Sequence, residues 1–285
     1  MNGILLVNKE KDYTSRDVVN IISKEFKTKK VGHTGTLDPL ATGVLVITVG
    51  SATKISELLT ATYKEYIAEV TLGIKTDTLD ITGNIKELKE INLDKEKLIN
   101  VLNSFNKKYL QEVPLYSAVK VDGKKLYEYA RNNEKVELPK KEVDIKNIEL
   151  LEYHENKFKF KCLVSKGTYI RSLINDIGKK IGCGAVMVEL ERLKTGEFKI
   201  DDSTKLYDFL KLQYEEMLDK IISIEELFIE NKRVNFKDDE YKKFLNGIMF
   251  DVESSTKSIV RVYVNNKFKG LGKIENNKLK RFIIE

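Results

Sequence analysis

Residues 32 to 43 read Gly-His-Thr-Gly-Thr-Leu-Asp-Pro-Leu-Ala-Thr-Gly, and directly after them comes the apolar run Val44-Leu45-Val46-Ile47-Thr48-Val49. Three glycines and a proline within twelve residues rule out one regular element, so the first stretch must be a loop. The second has the pattern of a strand covered on both faces, ended by Gly50. Asp38 is the one acid in the loop, and Pro39 biases it toward an extended backbone. Glycines at such a place admit conformations closed to other residues and allow a ligand close approach. A carboxylate held there points into a cleft. Read in isolation, an Asp-Pro pair is more often a turn former or helix cap, and His33 more often a surface or turn histidine.

The rest of the chain supplies a setting for this loop. At 285 residues it exceeds the usual size of one domain, which predicts a large domain with a smaller one attached. Gly3 to Val7 is a strand candidate, and Thr14-Ser15-Arg16-Asp17 reads as a capping box before a helix with Val18, Val19, Ile22 and Phe26 on its apolar face. Tyr66, Ala68, Val70 and Leu72 alternate as in a half-buried strand. Leu98, Val101, Leu102 and Phe105 mark a helix, and Lys157 to Ser165 alternates again. Residues 169 to 181 have helical spacing and stop at Gly182 and Gly184. Strands and helices mix without a regular β-α-β alternation, so the expected class is α+β with a mainly antiparallel sheet flanked by helices. The boundary falls near 229 to 234, dividing the chain into 1–230 and 231–285. Beyond it, short glycine-punctuated strands and a turn at Asn265-Asn266 predict a small β-barrel-like module.

Charge is placed unevenly. Thirteen basic and seven acidic side chains lie in 231–285, while the first 230 residues balance at 37 of each, so the formal net charge of +6 resides in the tail. A basic appendage on a neutral body suits a polyanion, though charge alone more often marks a lysine-rich solvated surface. No apolar run is long enough to cross a bilayer, and Met1 to Lys9 lacks the pattern of a secretory signal. Two cysteines, Cys162 and Cys183, fit a reducing compartment, so the cytoplasm is expected. With only His33 and His154 and no Cys-x-x-Cys, no dedicated zinc site is expected.

A second cluster is Ser165-Lys166-Gly167-Thr168-Tyr169-Ile170-Arg171-Ser172, where a strand ends and a helix begins. Arg171 is a candidate partner for Asp38, because a neighbouring guanidinium offsets the desolvation of a carboxylate in a pocket. Spacing alone does not derive that pairing. Tyr66, in Lys64-Glu65-Tyr66, is either a core aromatic or a face on which a base could stack, the latter worth roughly 1–3 kcal/mol per base. Gly32-x-x-Gly35 lacks a following Gly-Lys-Ser/Thr and is not a P-loop.

Together these pieces resemble the tRNA pseudouridine synthase B (TruB) family. The resemblance runs through residues 32–43, Lys64-x-Tyr66, Thr76-Asp77-Thr78 with Asp80 and Gly83, and Pro114-x-Tyr116-Ser117-Ala118-x-Lys120. It continues through Gly123, Tyr127-Glu128-x-Ala130-Arg131, residues 165–171, Gly182-Cys183-Gly184-Ala185 and Leu190-x-Arg192-Leu193. It implies a pseudouridine synthase fold over 1–230 and a PUA-type RNA-binding domain over 231–285. The implied activity is isomerisation of uridine to pseudouridine in the T-loop of tRNA, at position 55, with no cofactor, metal or protein partner and a monomeric enzyme. Asp38 would be the nucleophile, Arg171 would hold it ionised, and Tyr66 would stack on the base and accept the C5 proton. Tyr169 and Leu190 would line the pocket, His33 would fill the gap left by the extruded base, and Gly32, Thr36 and Lys64 would complete the substrate-binding set. One departure is visible: the family's Lys-Pro-x-Gly is Lys9-Glu10-Lys11-Asp12 here, which puts the turn at that point in question. The alternatives are an RNA chaperone using the same pocket for grip, a guide-RNA-dependent relative, and a glycoside hydrolase. The last is weakened because only Asp38 stands out where two carboxylates are needed.

Overall fold

In the computed structural model, which describes residues 1–60, 62–253 and 256–284, the N-terminal apolar run forms β1 (Gly3–Lys9). Thr14 Oγ1 accepts from the Asp17 N–H while the Asp17 carboxylate accepts from the Thr14 N–H, and this reciprocal cap starts α1 (Ser15–Glu25). Val18, Val19 and Ile22 are its buried face, as their spacing predicts. β2 (Val31–His33) pairs antiparallel with β3 (Thr42–Val49), in which every residue from Gly43 onward is buried. β4 (Tyr63–Leu72) follows, with Tyr66, Ala68, Val70 and Leu72 all in the core.

The chain then makes a hairpin of β5 (Ile74–Thr76) and β6 (Ile85–Leu88), α2 (Lys95–Asn103) and β7 (Lys108–Glu112). A smaller hairpin, β8 (Lys120–Val121) with β9 (Lys124–Lys125), runs into α3 (Leu126–Arg131). Two long paired strands come next, β10 (Lys140–His154) and β11 (Lys157–Ser165), then α4 (Ile170–Ile181) and β12 (Ala185–Thr195). Gly182 ends α4 in the left-handed conformation, at φ +101°.

The main sheet runs in the order Thr204–Lys205, β1, β3, β12, β4, β11, β10, β7. Its joins are antiparallel except β3 to β12 and Thr204–Lys205 to β1, which agrees with the mainly antiparallel sheet expected. The central position of β12 is the surprise. Its alternation of Glu189, Glu191, Arg192 and Lys194 gives no sign of a central strand, yet Arg192 is fully buried. The parallel join is short, pairing Glu191 with Thr42 and Arg192 with Gly43. Gly43 sits at φ +103°, and a Cβ there would collide with the backbone carbonyl oxygen of Arg192. Only glycine lets the loop's last residue close onto β12.

The altered N-terminal turn is held by bonds of its own. Asp12 takes the left-handed conformation at φ +71°, which Asp tolerates better than most residues, and its N–H donates to Pro39 O at 2.9 Å. Glu10 does what a proline could not: its carboxylate accepts from the N–H groups of Leu206 and Tyr207, both at 3.2 Å, at the start of the short helix Leu206–Phe209. Lys9 is fully buried and donates to the carbonyls of Glu10, Tyr13 and Pro39, so the turn also braces the Asp38 loop.

A second, five-stranded sheet is built from Arg233–Phe236, Ser258–Val264, Lys267–Glu275, Lys278–Ile284 and Phe250–Asp251. It has its own core around Phe236, Phe244, Val260, Val262 and Leu279. The Asn265-Asn266 turn places both residues at positive φ, +48° and +61°, as a tight hairpin turn with the right-handed strand twist requires. Leu271 and Ile283 of this sheet pack on Ala52, Ile55 and Ile224 of the main body. Among the described residues no helix is long and apolar enough to cross a membrane.

Gly43→Ala is expected to cost ~2 kcal/mol or more, from the positive φ and the collision at the β3–β12 join together. Chemical denaturation of the two proteins checks this; a loss within a few tenths of a kcal/mol would mean that the join yields easily.

Candidate active site

The loop that carries Asp38 is tied down on both sides. Leu37, Leu40 and Ala41 are buried, and Ser15, the first residue of α1, brackets Leu37: its Oγ accepts from the Leu37 N–H at 2.8 Å and donates to the Leu37 carbonyl at 3.1 Å. The Asp38 carbonyl accepts from the Ala41 N–H at 3.0 Å. Asp38 is therefore a turn residue through its backbone, and its carboxylate is left free for other work.

The start of α4 is anchored as firmly. The Tyr169 N–H donates to Oε1 of the buried Gln111 on β7 at 2.8 Å, and Ser172 Oγ donates to the Glu112 carbonyl at 2.8 Å. This sets Arg171 over Asp38. Arg171 Nη2 donates to Asp38 Oδ1 at 3.1 Å, and Nε lies 2.8 Å from Oδ2. The same guanidinium donates through Nη1 to the Thr78 carbonyl and through Nη2 to the Tyr116 carbonyl, both at 3.1 Å. Asp80 Oδ2 stands 3.8 Å from Nη1, while its other oxygen accepts from Thr78 Oγ1, Thr82 N–H and Thr82 Oγ1. Burial differs along this chain of charges. The side chains of Arg171 and Asp80 are 7% and 10% exposed, but that of Asp38 is 35% exposed, so the carboxylate is the member that opens outward.

It opens into a cleft of about 350 Å³, a size within the range of small-ligand sites. Seven of the nine site residues read from the sequence line it: Thr36, Asp38, Lys64, Tyr66, Tyr169, Arg171 and Leu190. His33 and Gly32 are not among the lining residues and lie on β2. His33 Nδ1 accepts from the Gly35 N–H at 3.3 Å. Burial, then the charges of Arg192, Arg16 and Lys64, lower its pKa and keep the imidazole neutral.

Tyr66 is buried on β4, directly opposite Arg192 on β12 and Cys162 on β11. Burial raises the pKa of its hydroxyl, with the nearby Arg192 cation opposing. Arg192 itself donates from Nε to the Val44 carbonyl at 2.8 Å and from Nη2 to the Gly35 carbonyl at 3.1 Å, so it binds strand, loop and cleft together. Burial pushes the Lys64 ammonium down to about 8, helped by the neighbouring positive charges of Arg192, Lys141 and Lys166. Asp80, Arg192, Tyr116 and Tyr127 are parts of the site that were legible only as members of motif stretches, with no spacing that would bring them to Asp38. Among the described residues no three His, Cys, Asp or Glu side chains gather to hold a metal ion.

Comparison with known proteins adds to this geometry. The model of the TruB family pseudouridylate synthase N-terminal domain matches residues 23–170, and that of the tRNA pseudouridylate synthase B C-terminal domain matches 171–228. The tRNA pseudouridine synthase B of Clostridium tetani is 43% identical over 279 residues, covering 95% of each chain. That of Fusobacterium nucleatum is 41% identical over 280 residues and 98% of each chain. A chain of the solved Cbf5-Nop10-Gar1 complex superposes with a TM-score of 0.70 at 26% identity, over 99% of this chain and 84% of that one.

The burial of Tyr66 generates an expectation about pH. Because the phenolate is the disfavoured form, Tyr66 ionises at higher pH than a free tyrosine, which is half ionised near pH 10. In an ultraviolet titration of the native protein against Tyr66→Phe, the difference in phenolate absorbance should reach its midpoint above pH 10; a midpoint near pH 9 would contradict this.

Proposed function

The chain belongs to the TruB family of pseudouridylate synthases, and on that premise we propose that it isomerises uridine to pseudouridine at position 55 in the T-loop of tRNA, with Asp38 as the nucleophile. The observation that carries this reading is the Asp38–Arg171 contact at the floor of an open cleft, with Asp38 the exposed partner. In the reaction the C1′–N1 bond of the uridine breaks, the base turns, and a C1′–C5 bond forms. The proton lost from C5 is balanced by one gained at N1. The conversion is redox-neutral, so it needs no electron carrier.

Whether the carboxylate attacks the sugar or the base, it must approach the nucleotide with its counter-charge in place, and Arg171 provides that. Extruding a base from the T-loop costs a few kcal/mol, which stacking inside the cleft offsets. Tyr66 provides the stacking face. Burial keeps it a phenol at rest, so its hydroxyl takes the C5 proton only as its own proton leaves toward N1, which ends the reaction protonated. Tyr169 and Leu190 close around the base, Lys64, Thr36 and Gly32 serve the substrate, and His33 fills the space the extruded base leaves. The module 231–285 is an RNA-binding domain on the catalytic body 1–230. The enzyme works as a monomer in the cytoplasm without a protein partner.

Asp38→Asn keeps the shape of the side chain and removes its nucleophilic charge. The rate of conversion in a T-stem-loop RNA should fall by roughly a thousandfold or more, with tRNA binding retained. Arg171→Ala should lower kcat far more than it raises KM. Mapping of pseudouridine in the treated RNA measures both; wild-type conversion by Asp38→Asn would exclude it as nucleophile.

The tail is tested by neutralising charge rather than by deletion, since deletion uncovers the face of Ala52, Ile55 and Ile224. Lys267→Gln combined with Lys269→Gln should weaken tRNA binding and lower its salt slope by about 1 for each phosphate that is no longer neutralised. An unchanged slope would place the electrostatic anchor elsewhere.

A further inference from the structure

Three lysines of the main sheet lie against acids. Lys146 contacts Asp144, Lys159 sits between Glu69 and Glu152, and Lys161 contacts Glu65. One wall of the cleft gathers four cations without such a partner. Lys64, Lys141, Lys166 and Arg192 make no ion pair with any carboxylate among the described residues.

These four cations are neighbours because of strand register. Lys64 pairs with Val164 near the end of β11, two residues before Lys166, and Lys141 is the second residue of β10, beyond the last β10–β11 pair Ile145–Val164. The Lys141 ammonium rests against Gly167, where a Cβ would collide with it. The Lys64 ammonium lies 3.0 Å from the point a Gly35 Cβ would occupy, with Arg192 Nη1 at 3.6 Å. Arg192 Nη1 is buried and has no hydrogen-bond partner among the described residues. Arg192 is buried and Lys64 half-buried, with the exposed Lys141 and Lys166 beside them, and like charges held this close are stabilised when an anion arrives. The anion that accompanies a nucleotide is its phosphodiester.

We propose that Lys64, Lys141 and Lys166, backed by Arg192, form a phosphate subsite for the backbone linkage next to the nucleotide drawn into the cleft, with Gly35 and Gly167 leaving room for the Lys64 and Lys141 ammonium groups. The subsite rests on the RNA-modifying reading above. It assigns the cleft its own share of the RNA affinity, separate from that of the basic tail. Lys141 and Lys166 act on binding, since they stand outside the group of Asp38, Arg171 and Tyr66.

The experiment uses T-stem-loop RNAs in which an uncharged methylphosphonate replaces the phosphate on the 5′ or the 3′ side of the target uridine. Affinity is measured for the wild-type chain and for Lys64→Gln/Lys141→Gln/Lys166→Gln. On natural RNA the triple variant should bind roughly tenfold more weakly, with a salt slope lower by about 1. On the RNA neutral at the contacted linkage, the wild type should show the same drop in affinity, and the variant should fall no further. If the variant binds natural RNA as the wild type does, or if the two effects multiply at both linkages, the subsite is wrong. Should the triple variant fail to fold, Lys141→Gln/Lys166→Gln carries the same comparison, because both side chains are exposed. A wild type that converts the natural RNA while the effects multiply overturns the subsite alone; a wild type that converts no T-loop RNA overturns the functional reading and the subsite with it.

Discussion

The contact between Asp38 and Arg171 joins groups 133 residues apart, and the architecture of the cleft is arranged to make it possible. A guanidinium that is almost fully buried must be compensated on every side. Two carboxylates and two backbone carbonyls do this for Arg171: Asp38 from the loop before β3, Asp80 and Thr78 from the β5–β6 hairpin, and Tyr116 from the segment before β8. One buried cation thus draws three connections into one place. Because Asp80 is already satisfied by Thr78 and Thr82, Asp38 is the acid left facing open space.

A second buried cation, Arg192, sets the floor. It stands on the central strand opposite Tyr66, donates to the carbonyls of Val44 and Gly35, and so fastens the Asp38 loop to the sheet from beneath. Gly43 is required at the same join, where backbone meets backbone. The two arginines differ in their surroundings. Arg171 is ringed by acceptors and carboxylates, whereas the charged neighbours of Arg192 are positive, Lys64 and its companions. The cleft accordingly has one neutralised side, suited to chemistry, and one side with excess positive charge, suited to a polyanionic substrate.

Much of this fold is legible in the sequence. The capping box of α1, the doubly covered β3, the alternation of β4 and β11, and the helical spacing of α4 with its glycine stop all reflect periodicities that each segment carries alone. Strand β12 is not legible, because its charged residues read as surface until Arg192 is seen to be buried by its neighbours. The turn at Lys9-Glu10-Lys11-Asp12, open to question on sequence, is held by contacts that spacing does not show, with Asp12 adopting the positive φ and Glu10 accepting from the distant helix Leu206–Phe209.

What the sequence by itself determined is therefore several of the elements, the class of the fold, and a motif series naming Asp38, Tyr66 and Arg171 together. What only the tertiary structure decided is who meets whom: that Asp80 shares Arg171, that Arg192 lies under Tyr66, that Lys141 and Lys166 converge on Lys64, and that His33 and Gly32 lie off the cleft lining. The physical reason is register. Burial periodicity is written locally, one residue after another, but a contact between strands depends on how they are aligned, and a slip of one position would turn each of these side chains to the opposite face.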